Sequence, residues 1–72
     1  EGAKYYEKAA GYSEDEFTAP IFLKKAGMVY EELKQNDKAI KLYTTIKEKY
    51  PKSQEAREIE KDIARNNTIL GK

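Results

Sequence analysis

The sequence predicts an all-α fold of about four helices. Apolar residues recur at intervals of three and four in four successive segments, which is the spacing of one helix face. No segment alternates polar and apolar residues over the length of a strand. Proline, serine and asparagine, which start or stop helices, stand between the segments. Because 72 residues without cysteine form no disulfide, these helices must pack economically or be covered by other protein.

The first predicted helix runs to about Tyr12. Ala3, Tyr6 and Ala10 fall at spacings of three and four and define its apolar face. The polar run 13–16 then interrupts the pattern and predicts a connection.

The second predicted helix begins near Thr18, whose hydroxyl we expect to accept a hydrogen bond from a first-turn N–H. Pro20 is tolerated in that turn, where no internal donor is needed. Two adjacent apolar rows follow, namely Phe22, Ala26, Val29 and Leu33 in one and Leu23, Gly27 and Tyr30 in the other. We expect both rows to face protein, which gives this helix a broad buried side.

The third helix is expected to start at Asn36 and Asp37, since either side chain can cap it. Its apolar residues are Ala39, Tyr43, Ile46 and Tyr50. A residue before a proline avoids helical dihedral angles, so Pro51 sets the end of this helix at Tyr50.

The fourth helix is predicted over 54–67, with Ser53 as its cap. Its apolar seam is narrow and consists of Ala56, Ile59 and Ile63. Charged side chains fill the remaining circumference, so we expect one side to pack and the other to meet water. A flexible tail is predicted over 68–72, and docking of Ile69 and Leu70 on a neighbouring chain is the alternative.

Seven residues within segment 20–53 follow one pattern of small and aromatic side chains. They are Leu23, Ala26, Gly27, Tyr30, Ala39, Tyr43 and Pro51. In type and spacing they resemble the tetratricopeptide repeat (TPR), a helix–turn–helix unit of 34 residues. Gly27 and Ala39 are small where two helix backbones approach closely. Lys34 and Asn36 depart from the family's pattern at the turn between the helices.

The resemblance implies a TPR-like α-α superhelix of antiparallel hairpins. It divides the chain into the second helix of a preceding repeat with its connecting loop (1–17), one complete repeat (18–53), a C-terminal capping helix (54–67) and the tail (68–72). The chain is thus expected to be the C-terminal fragment of a longer scaffold. The junction 50–53, followed by a charged helix, is similar to bacterial cell-envelope TPR proteins. That similarity implies a periplasmic or cell-envelope location, with the cytoplasm as the alternative.

The composition argues against catalysis, cofactors and metal. The chain has no histidine or cysteine, and its two serines, Ser13 and Ser53, stand at predicted helix boundaries, where capping explains them. The acidic run 14–16 lacks the spaced oxygen ligands and the glycine of a calcium loop. The four glycines are isolated, so no phosphate-binding loop is predicted.

The charge pattern likewise fits neither a nucleic-acid binder nor a membrane segment. Fourteen basic and 13 acidic residues are interspersed, and the longest basic run is Lys24-Lys25. The longest apolar run, 21–23, is far shorter than the ~20 residues that span a bilayer. Proteins or peptides are therefore the expected partners.

One stripe of the second helix is not used by the predicted packing and is the candidate binding groove. It consists of Ile21, Lys24, Met28, Glu31 and, beside them, Glu32. The resemblance implies that this stripe lines the concave groove of a TPR array and holds a peptide or partner segment. Lys24 matches a position that chaperone-type repeats use to grip a C-terminal carboxylate, but Met28 replaces the asparagine of those clamps. We expect a partner of mixed apolar and charged character, with a merely solvated helix face as the alternative.

Self-association is the alternative function. The helix that should cover Ala3, Tyr6 and Ala10 is absent from the sequence, and an uncovered apolar seam favours pairing with a second copy. A homo-oligomer is therefore the second expectation.

Overall fold

The computed structural model describes residues 2–13 and 15–71, apart from the Ser13 side chain. It contains four α-helices and, in the part described, no strand. They are α1 (Gly2–Ser13), α2 (Thr18–Glu32), α3 (Asn36–Lys49) and α4 (Gln54–Leu70). The predicted all-α class is confirmed. The suggested cap at Ser13 and the Glu14 position of the acidic run lie outside the described residues.

Each helix packs against the next one along the chain, and α2 also contacts α4. Among the described residues α1 and α3 do not pack on each other, although both contact α2. The helices therefore form consecutive antiparallel hairpins, with α2 and α4 in one layer and α1 and α3 in the other.

The interior combines small residues with a few large ones that reach across the helix interfaces. Its buried members are Ala3, Ala10, Leu23, Tyr30, Ala39, Tyr43, Ile46, Ala56 and Ile59. At Gly27 the backbone of α2 lies close to a side chain of α3, since an added Cβ would stand 2.5 Å from Cε1 of Tyr43. Glycine is thus required at this position because the Tyr43 ring fills the space that any side chain would occupy.

The predicted cap at Thr18 is wrong. Thr18 is the first residue of α2, and Asp15 satisfies the open N–H groups instead. Its Oδ1 accepts hydrogen bonds from the backbone N–H of Phe17 at 2.9 Å and of Thr18 at 2.5 Å. These bonds, chiefly the one from Thr18, lower the pKa of Asp15, since they favour the charged carboxylate.

Capping of α3 by Asn36 or Asp37 is also wrong. The N-cap is Gln35, and no side chain caps this helix end. Asn36 is buried, and its Nδ2 donates to Oδ1 of Asn66 at 2.7 Å, so its amide is engaged in the interior. The preceding turn is closed by Lys34 in the left-handed region, with φ of 62°, where the family commonly has glycine.

The boundary between α3 and α4 agrees with the prediction. Tyr50 is the C-cap of α3 immediately before Pro51. Ser53 caps α4, because its Oγ accepts a hydrogen bond from the N–H of Ala56 at 3.1 Å.

The helix end at residue 67 and, over 68–71, the predicted flexible tail are corrected, while Lys72 lies outside the described residues. The fourth helix continues to Leu70, and Gly71, with φ of 76°, forms a left-handed cap that donates to the carbonyl of Thr68. Glycine adopts this conformation without steric cost, which makes it an effective helix terminator. The expected burial of Leu33 is also corrected. This residue lies just beyond α2 and is 47% exposed, so the predicted row that ends at Leu33 is not buried at its C-terminal end.

Candidate functional site

The structure places the repeat-defining residues between the helices. Six of the seven are buried, namely Leu23, Ala26, Gly27, Tyr30, Ala39 and Tyr43, and Pro51 is exposed in the turn. The six buried residues pack α2 against its neighbouring helices.

The five predicted groove residues divide into two groups. Ile21, Met28 and Glu32 are exposed on α2. Lys24 and Glu31 instead contact α4, where Lys24 Nζ lies 2.6 Å from Glu58 and Glu31 lies 2.7 Å from Arg65. The structure thus leaves the apolar members of the stripe open and engages two of its charges.

Both ion pairs join residues that are 34 positions apart. This spacing equals the 34-residue length of the tetratricopeptide unit that segment 20–53 resembles. The two pairs hold α4 beside α2.

Glu31 is the centre of a partly buried polar cluster. Its Oε2 accepts a hydrogen bond from the Tyr43 hydroxyl at 2.5 Å, and Arg65, which also pairs with Asp62 at 2.9 Å, donates to its Oε1. Burial raises the pKa of Glu31, but hydrogen bonds from Tyr43, Arg65 and Asn66 outweigh it and hold the pKa below its ordinary value. Burial, followed by the bond to Glu31, raises the pKa of Tyr43. The cluster ties α2, α3 and α4 together.

Asn66 is a buried residue that the sequence did not reveal as such. It is fully buried, bonds to Asn36 and donates from Nδ2 to the carbonyl of Asp62 at 2.7 Å. The available signal was its position three residues after Ile63, which continues the seam of α4. Asparagine is seldom fully buried, so residue type gave no indication of this role.

A second residue that the sequence analysis missed is Phe17. It is 82% exposed as the N-cap residue of α2, and it precedes Ile21 by four residues and Met28 by 11, so the three side chains lie on one side of this helix. We call this surface the α2 strip. A cleft of ≈ 320 Å³ adjoins its N-terminal end and is lined by Phe17, Ile21 and the start of α4, including Gln54 and Glu55. Phe17 escaped notice because it lies in a connection.

The expected uncovered seam of α1 is wrong. Ala3 and Ala10 are buried by α2, and the Tyr6 ring stacks on Phe22 with a centroid distance of 6.3 Å. The face of α1 that was expected to need a preceding helix is thus covered by α2. The large side chains that α1 leaves exposed are Tyr5, at 68%, and Tyr12, at 85%.

Among the described residues there is no grouping of carboxylates that could hold a metal ion. None of the described helices has the length and apolar character that crossing a bilayer requires.

Comparison with known proteins gives one match. Residues 25–53 match a tetratricopeptide repeat family model, and they cover most of α2, the turn and α3. No curated protein and no solved structure matches the chain. Tetratricopeptide repeats are generally non-catalytic protein-interaction modules. The matched segment lies in a structure made of consecutive helical hairpins, so residues 25–53 are similar to a tetratricopeptide repeat in both sequence and architecture.

Proposed function

We propose that the chain is a non-catalytic interaction module that binds a protein segment on the α2 strip. The observation that carries the proposal is the exposure of three apolar side chains on one helix face, at 82% for Phe17, 42% for Ile21 and 51% for Met28. Exposed apolar groups that lie in a row are unfavourable in water and mark a surface that a partner covers.

The partner segment is expected to be mainly apolar. Lys24 and Glu31 beside the strip are already paired with Glu58 and Arg65, so they attract external charges only weakly. Their role in this proposal is to hold α4 beside α2. Because these two charges are paired, we propose a mainly apolar partner in place of the mixed apolar and charged one expected from the sequence. Glu32 is the exposed acidic group at the end of the strip.

The strip also limits the length of the bound segment. Phe17 and Met28 are 11 residues apart, which corresponds to about 16 Å along a helix axis. About five residues of extended chain cover this distance.

The test selects short binders from a displayed random-peptide library and measures their affinities. Met28→Glu should weaken the selected peptides by at least about tenfold, because it places an unpaired charge in a desolvated contact. Leu33→Glu is the matched control, since Leu33 is 47% exposed and lies outside the strip. Selected peptides that are predominantly charged, or equal losses in both variants, would contradict the proposal.

A second candidate function is self-association through the outer face of α1. It is favoured by Tyr5 and Tyr12, which are seven residues apart and therefore on the same face, and both are largely exposed. Sedimentation equilibrium at high concentration should show species above 8.3 kDa, and Tyr5→Glu with Tyr12→Glu should abolish them. A monomer at all concentrations would dismiss this candidate.

We further propose that α4 ends a repeat array as its capping helix. Its buried face is narrow, with Ala56 and Ile59 inside, while residues such as Arg57, Glu60 and Lys61 are exposed. A terminal helix needs such a polar outer face to remain soluble. The fragment status of the chain and its cell-envelope location stay predictions.

A further inference from the structure

We propose that the cleft between α1 and α3 binds an acidic, extended segment of a partner protein. This cleft lies on the side of the molecule opposite the α2 strip. Leu23 and Tyr30 of α2 line it, and at about 100° per residue they lie half a turn away from Ile21 and Met28. The inference is thus independent of the proposed function of the α2 strip.

The cleft exists because α1 and α3 both pack on α2 without contacting each other. Two adjoining spaces of ≈ 410 and ≈ 280 Å³ share Glu7 and Thr45 as lining residues, so together they form one channel. Leu23 and Ala10, which are almost fully buried, contribute an apolar surface to it. The channel combines an apolar floor with open access from solvent.

The wall formed by α3 is basic. Lys38, Lys41 and Lys49 all line the cleft and are exposed. Lys38 lies over the Tyr30 ring at 5.6 Å from its centroid. Among the described residues no carboxylate lies within 4.0 Å of the ammonium group of Lys41 or Lys49. Both cations are thus available to a ligand.

The opposite wall does not neutralise this charge. Glu7 of α1 is the acidic residue that lines the cleft, and its Oε2 accepts a hydrogen bond from the Tyr30 hydroxyl at 2.5 Å. Three cations against one engaged carboxylate give the cleft a positive potential, which favours an acidic occupant.

The spacing of the lysines defines the register of that occupant. Lys41 and Lys49 are eight residues apart, so their Cα atoms are separated by about 12 Å along α3. In an extended chain, two side chains on the same face and four residues apart are separated by about 13 Å. A segment with two carboxylates at this interval, and an apolar side chain that reaches Leu23, matches both the charges and the floor.

The test uses a fluorescein-labelled peptide with glutamates four residues apart and leucine between them. Fluorescence anisotropy should show binding that weakens as salt rises from about 0.05 M to about 0.5 M, because counterions screen exposed pairs. The same peptide with glutamine in place of glutamate should bind at least about fivefold more weakly.

Two protein variants of equal charge change locate the binding. Lys41→Gln with Lys49→Gln should weaken the peptide by about fivefold or more. Arg57→Gln with Lys61→Gln removes the same charge from α4, which does not line the cleft, and should leave the affinity within about twofold. Equal losses in both pairs would overturn the proposal, since they would indicate attraction by net charge alone.

A steric variant tests the cleft without relying on charge. Gly11 lines the cleft, and a Cβ added there meets nothing within 4 Å, so Gly11→Leu places a bulky side chain at the channel without a clash at its Cβ. Binding should fall by at least about fivefold while the circular dichroism spectrum is retained; full affinity in this variant would refute the assignment. An oligonucleotide of matched charge has no apolar side chain for the floor of the cleft. If it displaced the labelled peptide as well as the unlabelled peptide does, the cleft would be assigned to nucleic acid and the proposal would be overturned.

Discussion

Replacing Gly27 by alanine tests the close packing of the α2 backbone against Tyr43 of α3. The new Cβ would lie 2.5 Å from Cε1 and 2.8 Å from Cζ of Tyr43, distances that force either the ring or a helix to move. Tyr43 is fully buried and its hydroxyl is bonded to Glu31, so the ring has no free direction. In an unobstructed helix the same substitution would stabilise the protein by about 1 kcal/mol.

The expected magnitude follows from these opposing terms. Overpacking costs about 1–3 kcal/mol. Displacement of the ring also weakens the bond between Tyr43 and Glu31, and a hydrogen bond to a charged group contributes about 1.5–3 kcal/mol. With the bond lost and the helix gain subtracted, Gly27→Ala should destabilise the protein by about 1.5–5 kcal/mol. For a domain of this size each kcal/mol lowers Tm by about 4–8 °C.

Thermal unfolding followed by far-ultraviolet circular dichroism measures the effect. Gly11→Ala is the control, because its Cβ meets nothing within 4 Å and the substitution should raise Tm. The two substitutions are chemically identical and should shift Tm in opposite directions. A Gly27→Ala protein as stable as the parent would refute the close approach of α2 and α3. Tyr43→Leu combined with Gly27→Ala should cost less than the sum of the two single losses, since the ring is the obstacle to the alanine.

Three further predictions concern the polar contacts. Asn66→Ala should cost about 1–3 kcal/mol in urea unfolding, because it leaves the Asn36 amide buried without its acceptor; a loss below about 0.5 kcal/mol would contradict this bond. Because the folded protein lowers the pKa of Glu31, this carboxylate stabilises the fold at pH values above its ordinary pKa of about 4.3. That stabilisation is lost as the pH falls through the lower, folded-state pKa. Glu31→Gln should therefore flatten the pH dependence of the free energy of unfolding on the acid side. An unchanged pH profile in that variant would disprove its role. Ser53→Ala should cost about 1 kcal/mol in the same assay through loss of the cap on Ala56, and no change would mean that the cap is not formed in solution.

The elements of the fold were predictable because their signals are local. The spacing of apolar residues placed α1, α2 and α3, and the Tyr50–Pro51 junction placed the boundary before α4. Gly27 was identifiable from sequence as a contact point, since a glycine inside an apolar helix pattern needs a packing reason. The end of α4 was mispredicted because polar residues continue a helix as well as they end one, and Gly71 supplied a later stop.

The candidate sites were less predictable because they depend on which helices become neighbours. Lys24 has the same sequence signature whether it is free or paired, and only the position of α4 brings Glu58 to it. The cleft that we propose as a site for acidic segments likewise has no sequence motif. It arises where α1 and α3 fail to touch, which brings Lys41 and Lys49 opposite the face of α1 that carries Glu7.

The sequence by itself therefore determined the helical class, the repeat-like middle segment and the small and aromatic residues of the helix interfaces. These follow from periodicity and residue size, which are properties of neighbours along the chain. Only the tertiary structure decided which polar residues are hydrogen-bonded between the helices, such as Asn66 and Glu31. It likewise decided which apolar residues are exposed to solvent, such as Phe17. The physical reason is that burial and charge pairing depend on contacts between helices, and those contacts join residues about 30 positions apart.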